Sequence, residues 1–169
     1  RYSGVNQSAI GHVRVYNYNG TSWNQIGQNI DGEVSGDQSG QSVSLSSDGN
    51  TVAIGAHINN GNGPSSGHVR VFQYNGSSWI QIGNDIDGEA AWDQSGQSVS
   101  LSSDGNTVAI GARYNNDNGA SSGNVRIYNW NGASWNQIGN DIDGEAAYDE
   151  NGQSVSLSSD GNTVAIGAH

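Results

Sequence analysis

Apolar residues along this chain fall into short alternating runs set between polar turns. In residues 97–103 (QSVSLSS), Val99 and Leu101 alternate with Ser98 and Ser100, and in residues 106–112 (NTVAIGA), Val108 and Ile110 alternate with Thr107 and Ala109. Alternation of this kind predicts half-buried or buried β-strands. A third run, HVRVFQY at 68–74, sets Val69 and Val71 on one face and Phe72 and Tyr74 on the other, and a fourth is SWIQIGNDI at 78–86. Asp104-Gly105 predicts a two-residue hairpin turn with positive φ angles between the first two strands, and Asn75-Gly76 a turn between the last two. No segment has helical periodicity.

The pattern repeats. Gly11, Gly67 and Gly123 stand 56 residues apart, as do Trp23, Trp79 and Trp135, and Asp31, Asp87 and Asp143. The stretch GQSVSLSSDGNTVAIGA occupies 40–56, 96–112 and 152–168 without a change. A fixed period of this length marks a solenoid, propeller or array. Four antiparallel strands per period, here named A (QSVSLSS), B (NTVAIGA), C (HVRVFQY) and D (SWIQIGNDI), apolar on both faces in places, suit a propeller blade packed between two neighbours.

GQSVSLSSDGNTVAIGA, a polar loop, and then GHVRVFQYNG resemble the FG-GAP repeat of integrin α-subunit-type propellers and their bacterial relatives, over essentially the whole chain. SxSSDGNTVAIG is also similar to the core of WD40 blades, the second choice. Either resemblance implies an all-β propeller. FG-GAP repeats often hold calcium in a longer A–B loop, which here has shrunk to a turn, so that site does not transfer to Asp48, Asp104 or Asp160.

The expected architecture is one repeat domain over 1–169, with units at 11–66, 67–122 and 123–169 and residues 1–10 completing the phase. The chain holds three blade equivalents. Strands C and D at 11–31 and A and B at 152–169 are half-blades, and two copies sharing them reciprocally would close a six-bladed homodimer. A longer array or an open stack are the alternatives. The start at Arg1, without methionine or signal peptide, suits a processed piece or a window of something longer.

Composition narrows the partners. Sixteen acidic residues against five arginines and no lysine give a net charge of −11, which disfavours nucleic acid and anionic membrane. No apolar run approaches the roughly 18 residues of a membrane span. Cysteine is absent, excluding disulfides, thiolate nucleophiles and Cys metal sites. The expected setting is extracellular or cell-surface. Asn6-Gln7-Ser8, Asn19-Gly20-Thr21 and Asn75-Gly76-Ser77 read as glycosylation sequons, meaningful in a secreting eukaryote.

Candidate chemistry lies in the loops. The B–C and D–A loops share one face of a propeller and vary most between repeats. In the D–A loop Gly36, Trp92 and Tyr148 take one position. Trp92 and Tyr148, with Asp93, Asp149, Tyr114, Asn115 and Asn116, would form a stacking surface flanked by acceptors, suited to a glycan or protein ligand. The acidic runs Asp85, Asp87, Glu89 and Asp141, Asp143, Glu145 offer hard oxygen ligands for calcium, the one cofactor considered. Their recurrence argues against glycoside hydrolysis, which needs one asymmetric pair, and no nucleophile elbow or phosphate loop is present. Trp23, Trp79 and Trp135 are expected between blades, and Arg14, Arg70 and Arg126 are expected to pair with acidic or carbonyl groups at a blade edge. The function expected is a non-enzymatic module for recognition or adhesion. A structural repeat assembling rings or filaments is the alternative, and a secreted hydrolase domain follows it.

Overall fold

Strand B has no polar side: Thr51–Ala56 and Thr107–Ala112 are buried at every position. A strand apolar on both faces must be covered on both, so these strands sit inside a stack of sheets. The computed structural model describes residues 10–169, and sixteen strands and no helix lie among them. Asn6, of the first sequon, and most of the 1–10 segment lie outside the described residues.

Two complete blades form. The first joins β5 (Ser42–Leu45), β6 (Thr51–Ala56), β7 (His68–Tyr74) and β8 (Trp79–Gln81), with β9 (Ile86–Asp87) also on β7. The second repeats this with β10 (Ser98–Leu101), β11 (Thr107–Ala112), β12 (Asn124–Trp130), β13 (Trp135–Gln137) and β14 (Ile142–Asp143). Registers match residue for residue, Ile54 opposite Arg70 as Ile110 is opposite Arg126. Before them lie the short pairs β1 (His12–Val13) with β4 (Ile30–Asp31) and β2 (Tyr16–Tyr18) with β3 (Trp23–Gln25). After them come β15 (Ser154–Leu157) and β16 (Val164–Gly167).

The core lies between sheets. Val15 and Ile30 of the first half-blade pack with Val52, Ile54, Phe72 and Trp79. Ala53, Val69 and Val71 then meet Val99, Leu101, Val108 and Ile110 of the next blade. Serines of strand A add polar stitches. Ser42 Oγ donates to Gly96 O at 2.8 Å, Ser47 N–H to Ser103 O at 2.9 Å, and Leu101 N–H to Ser44 Oγ at 2.9 Å. One repeat later Ser98 donates to Gly152, Ser103 to Ser159, and Leu157 to Ser100. The invariant stretch is therefore the blade-to-blade seam.

Two local expectations are corrected. The A–B connection is a four-residue loop closed by the Ser102 N–H to Thr107 O bond, and Gly105, at φ 73°, is its residue with positive φ. Asp104 is not among the residues with positive φ, and its side chain helps to close the loop. It accepts from Ser102 Oγ at 2.6 Å and from the Asn106 N–H at 3.0 Å, and Asp48 and Asp160 repeat the pattern. Strand D is also not continuous. It breaks at Gly83, φ 73°, where a Cβ would meet the rings of Trp130 and Trp135.

The hairpin carboxyls carry a pH signature. The serine hydroxyl, then the asparagine N–H, holds Asp48, Asp104 and Asp160 below the ordinary 3.8. A depressed folded pKa gives stability that is present above the unfolded value and lost as pH falls through the folded one. Thermal melts from about pH 5 down to about pH 2.5 are expected to show a shallower acid limb for a D48N/D104N/D160N variant than for the parent.

Candidate functional site

The varied loops interlock. The D–A loop hangs on the preceding B–C loop through Trp92 N–H to Pro64 O at 2.8 Å and Ser95 N–H to Ser66 O at 2.9 Å, with Tyr148 to Ala120 and Asn151 to Ser122 as the next copies. Tyr114 N–H then reaches Asp93 O at 3.3 Å, tying this D–A loop to the following B–C loop.

This framework separates the expected ligand residues. Trp92 and Tyr148 point outward, 62% and 74% exposed, on backbones with φ 75° and 69°. Asp93 and Asn115, expected as acceptors for a ligand, are buried instead. Asp93 Oδ2 accepts from the Ala90 N–H at 3.0 Å and from Asn115 Nδ2 at 3.3 Å, closing its own loop and bridging to the next repeat. Burial raises the Asp93 pKa, and those two bonds oppose the rise. Asp149 likewise accepts from the Ala146 N–H at 2.8 Å. Asn115 and Asn116 shape their own turn, accepting from the Asp117 and Ser121 N–H groups. Tyr114 lies half-buried beneath the Arg113 guanidinium, 4.4 Å from its ring centre.

The acidic runs are separated in the same way. Asp85 and Glu89 go to two different clusters, each built across a blade interface, and Asp87 joins neither. Buried Ile86 turns Asp85 and Asp87 outward, and Glu89 reaches the following repeat. Asp85 joins Glu33 and His68, while Glu89 joins Asp117 and Asp141, with each group's ligand atoms within 4.8 Å of one another. These are the sets that could hold a hard cation. Asp143 lies close enough to Asp141 and Asp117 for their charges to raise its pKa further, after burial. Glu145 stays exposed beyond the second blade.

An arginine balances each cluster. Arg70 donates to Asp31 O at 2.8 Å and faces Glu33 at 3.7 Å, while Arg126 donates to Asp87 O at 2.9 Å and faces Glu89 at 3.7 Å. The strand arginines thus pair with both an acid and a carbonyl, as expected, but those of the preceding repeat. Arg14 has the Tyr16 ring beside it, 5.9 Å from the centre. His68 is buried with its Nδ1 3.6 Å from Asp85; burial lowers its pKa and the Asp85 charge opposes this.

The clusters are not identical. Asp117 occupies the repeat position of Gly61, and Asn124 that of His68. Where Gly61 leaves space, a cavity of about 350 Å³ opens, lined by Glu33, Asp37, Asn59, Asn60, Asp85 and Asp87 among others. Glu33 showed only as the first copy's member of the acidic run, and His68 and Asp117 had no signal within their own segments. Only stepping along the period and pairing each loop with the next repeat would have brought them together.

Comparison with known proteins places this geometry. The family model described as "FG-GAP repeat" matches residues 31–72 and 86–128. No curated protein matches the chain. Among solved structures, the chain is similar to a Bacteroides fragilis NCTC 9343 protein bearing a provisional 6-phosphogluconolactonase name. The TM-score is 0.59 at 13% identity, over 94% of this chain and 36% of that one. A Bacteroides uniformis ATCC 8492 protein of the same provisional name matches with TM-score 0.62 at 12% identity, over 93% of this chain and 41% of that one. At such identity the likeness is one of fold, a β-propeller, and the chain spans well under half the length of either.

Proposed function

The chain belongs to the FG-GAP repeat family, and from that premise we propose that it is a non-enzymatic recognition or adhesion module, acting outside the cell or at its surface on a carbohydrate or protein ligand. The face that would bind carries the B–C and D–A loops.

One observation carries this reading. Position 36 is a glycine with φ 104°, and its counterparts keep a left-handed backbone while carrying the two largest exposed aromatics of the face, Trp92 and Tyr148. A bulky residue in that region costs on the order of 1 kcal/mol. Burial could offset such a cost, but these side chains are in solvent. Apolar, rigid rings held outward beside acidic and amide groups are suited to stacking on a sugar face or a peptide side chain. Two of the acids, in contrast, recur at equivalent inter-blade positions, Glu33 with Asp85 and Glu89 with Asp141, each pair beside an arginine, which favours a binding surface over an asymmetric catalytic pair.

The experiment compares W92G and Y148G with the parent on a glycan array and a peptide array, alongside thermal melts. Each variant is expected to lose binding by about tenfold or more, because a stacked aromatic contributes roughly 0.5–1.5 kcal/mol beyond its area. Its Tm is expected to hold or rise, since glycine relieves the left-handed backbone. Binding that survives both substitutions would overturn the reading.

A further inference from the structure

The second acidic cluster is built as a cation site, and we propose that Glu89, Asp117, Asp141 and the side-chain oxygen of Asn124 bind one Ca²⁺ between the first and second blades. All four residues lie in the two complete blades or in the loop that joins them. The site stands independently of any ligand on Trp92 and Tyr148.

Two of the acids are each held by one oxygen and present the other. Arg126 Nη1 faces Glu89 Oε1 at 3.7 Å, while Glu89 Oε2 lies 3.3 Å from Asn124 Nδ2. Gln137 Nε2 donates to Asp141 Oδ1 at 2.5 Å, while Asp141 Oδ2 lies 3.2 Å from the same Asn124 amide. A neighbour that fixes one oxygen and aims the other is how carboxylate ligands are oriented on a metal. Asp117, itself exposed, brings the third carboxylate to within 4.8 Å of the other two.

Asn124 is the residue that points to a ligand. It is 0% exposed and its amide head lies against both carboxylates, yet its Oδ1 has no hydrogen-bond partner. A buried carbonyl oxygen without a donor is costly and rare. A half-turn about the last side-chain bond exchanges the two ends of the amide. With a cation between the carboxylates, that turn gives it Oδ1 as a fourth oxygen.

Charge and donor type choose the ion. Three carboxylates face one guanidinium, a surplus of two negative charges that a divalent cation cancels. The donors are all oxygens and come from four separate segments, with exposed acids where water can complete the shell. That suits Ca²⁺, with its roughly six to eight adaptable oxygen ligands, over the smaller and stricter Mg²⁺. The first cluster has Gly61 in place of Asp117 and His68 in place of Asn124, so it offers two carboxylates and a nitrogen, a set for softer metals. The A–B turns take no part, because Asp104 and its counterparts are closed on their own serine and asparagine.

Isothermal titration of the chelator-treated chain with CaCl₂ tests this. One Ca²⁺ per chain is expected, with a dissociation constant below about 1 mM, and a Tm about 3–10 °C higher in about 10 mM CaCl₂. D117G and N124H each carry the first blade's residue at that position, so folding is spared. Either is expected to weaken binding about tenfold or more and to remove the rise in Tm. E145Q, at an exposed acid outside the cluster, should change neither. The converse variant G61D/H68N is expected to take up a second Ca²⁺. Gly61 is not among the residues with positive φ, and the atoms nearest a Cβ there are the ends of the Asp87 and Asn59 side chains. No uptake up to about 10 mM CaCl₂ would overturn the proposal, as would parental affinity in D117G. A loss in E145Q equal to that in D117G would mark diffuse attraction to an acidic surface and overturn it too. So would a folded G61D/H68N chain that still binds one ion.

Discussion

Gly111→Ala is expected to be among the most destabilising single-methyl changes in this protein, by about 3 kcal/mol. Gly111 lies in a fully buried strand, and a Cβ there would fall on the carbonyl oxygen of Gly152 in the next repeat and on Ser98 Oγ. Neither neighbour can yield cheaply. Gly152 is backbone with φ 87°, and Ser98 Oγ is donating to that same carbonyl at 2.7 Å. Relief means parting the two sheets, which adds the loss of a buried hydrogen bond of about 1 kcal/mol to an overpacking cost of 1–3 kcal/mol. For a chain of this length that corresponds to a Tm about 6–12 °C lower. Gly55→Ala should match it, since its Cβ meets Gly96 O and Ser42 Oγ in the same way. Gly167→Ala is the control. The nearest atom there is the Ser154 hydroxyl, which can rotate away, so a single chain should tolerate it. Equal losses at all three glycines by thermal or denaturant melts would show that the seam is not the cause.

Trp79→Ala carries the second large effect, about 3–5 kcal/mol. Its ring is 3% exposed, sits 5.2 Å from the Tyr74 ring centre and fills the space above Gly27, while Nε1 donates to Ile26 O. Truncation opens a cavity at the blade interface and leaves that carbonyl without its donor. Trp23 has the same neighbours within its own hairpin, Tyr18 at 5.3 Å, yet no preceding blade beneath it among the described residues. Trp23→Ala should therefore stay within about 0.5 kcal/mol. Chemical denaturation of the two variants side by side decides the matter. A loss at Trp23 as large as that at Trp79 would contradict the packing described.

Much of the fold was legible from residue order. The four strands of each period, the loop chemistry of Ser-Ser-Asp-Gly-Asn-Thr and the inter-blade place of Trp79 and Trp135 follow from alternation and repetition. The candidate site was only half legible. Trp92 and Tyr148 stood out because they replace a glycine, and they do project outward. Asp93 and Asn115 looked equally available but are buried against each other across a repeat boundary. The acidic run around Asp85, Asp87 and Glu89 looked like one ligand set, but Asp85 and Glu89 fall in two different clusters and Asp87 in neither.

The chain by itself determined what depends on near neighbours: the 56-residue period, strand and turn positions, and the family. Those follow from side-chain periodicity and turn geometry over a few residues. Tertiary structure alone decided which acids meet, which of three equivalent tryptophans is buried, and why the serines of GQSVSLSSDGNTVAIGA recur. Many partners in those contacts stand far apart in the chain, Arg70 and Asp31 by 39 residues and Leu101 and Ser44 by 57. Such contacts exist only once one blade lies against the next, and burial then differs between identical residues according to whether a neighbouring blade is present.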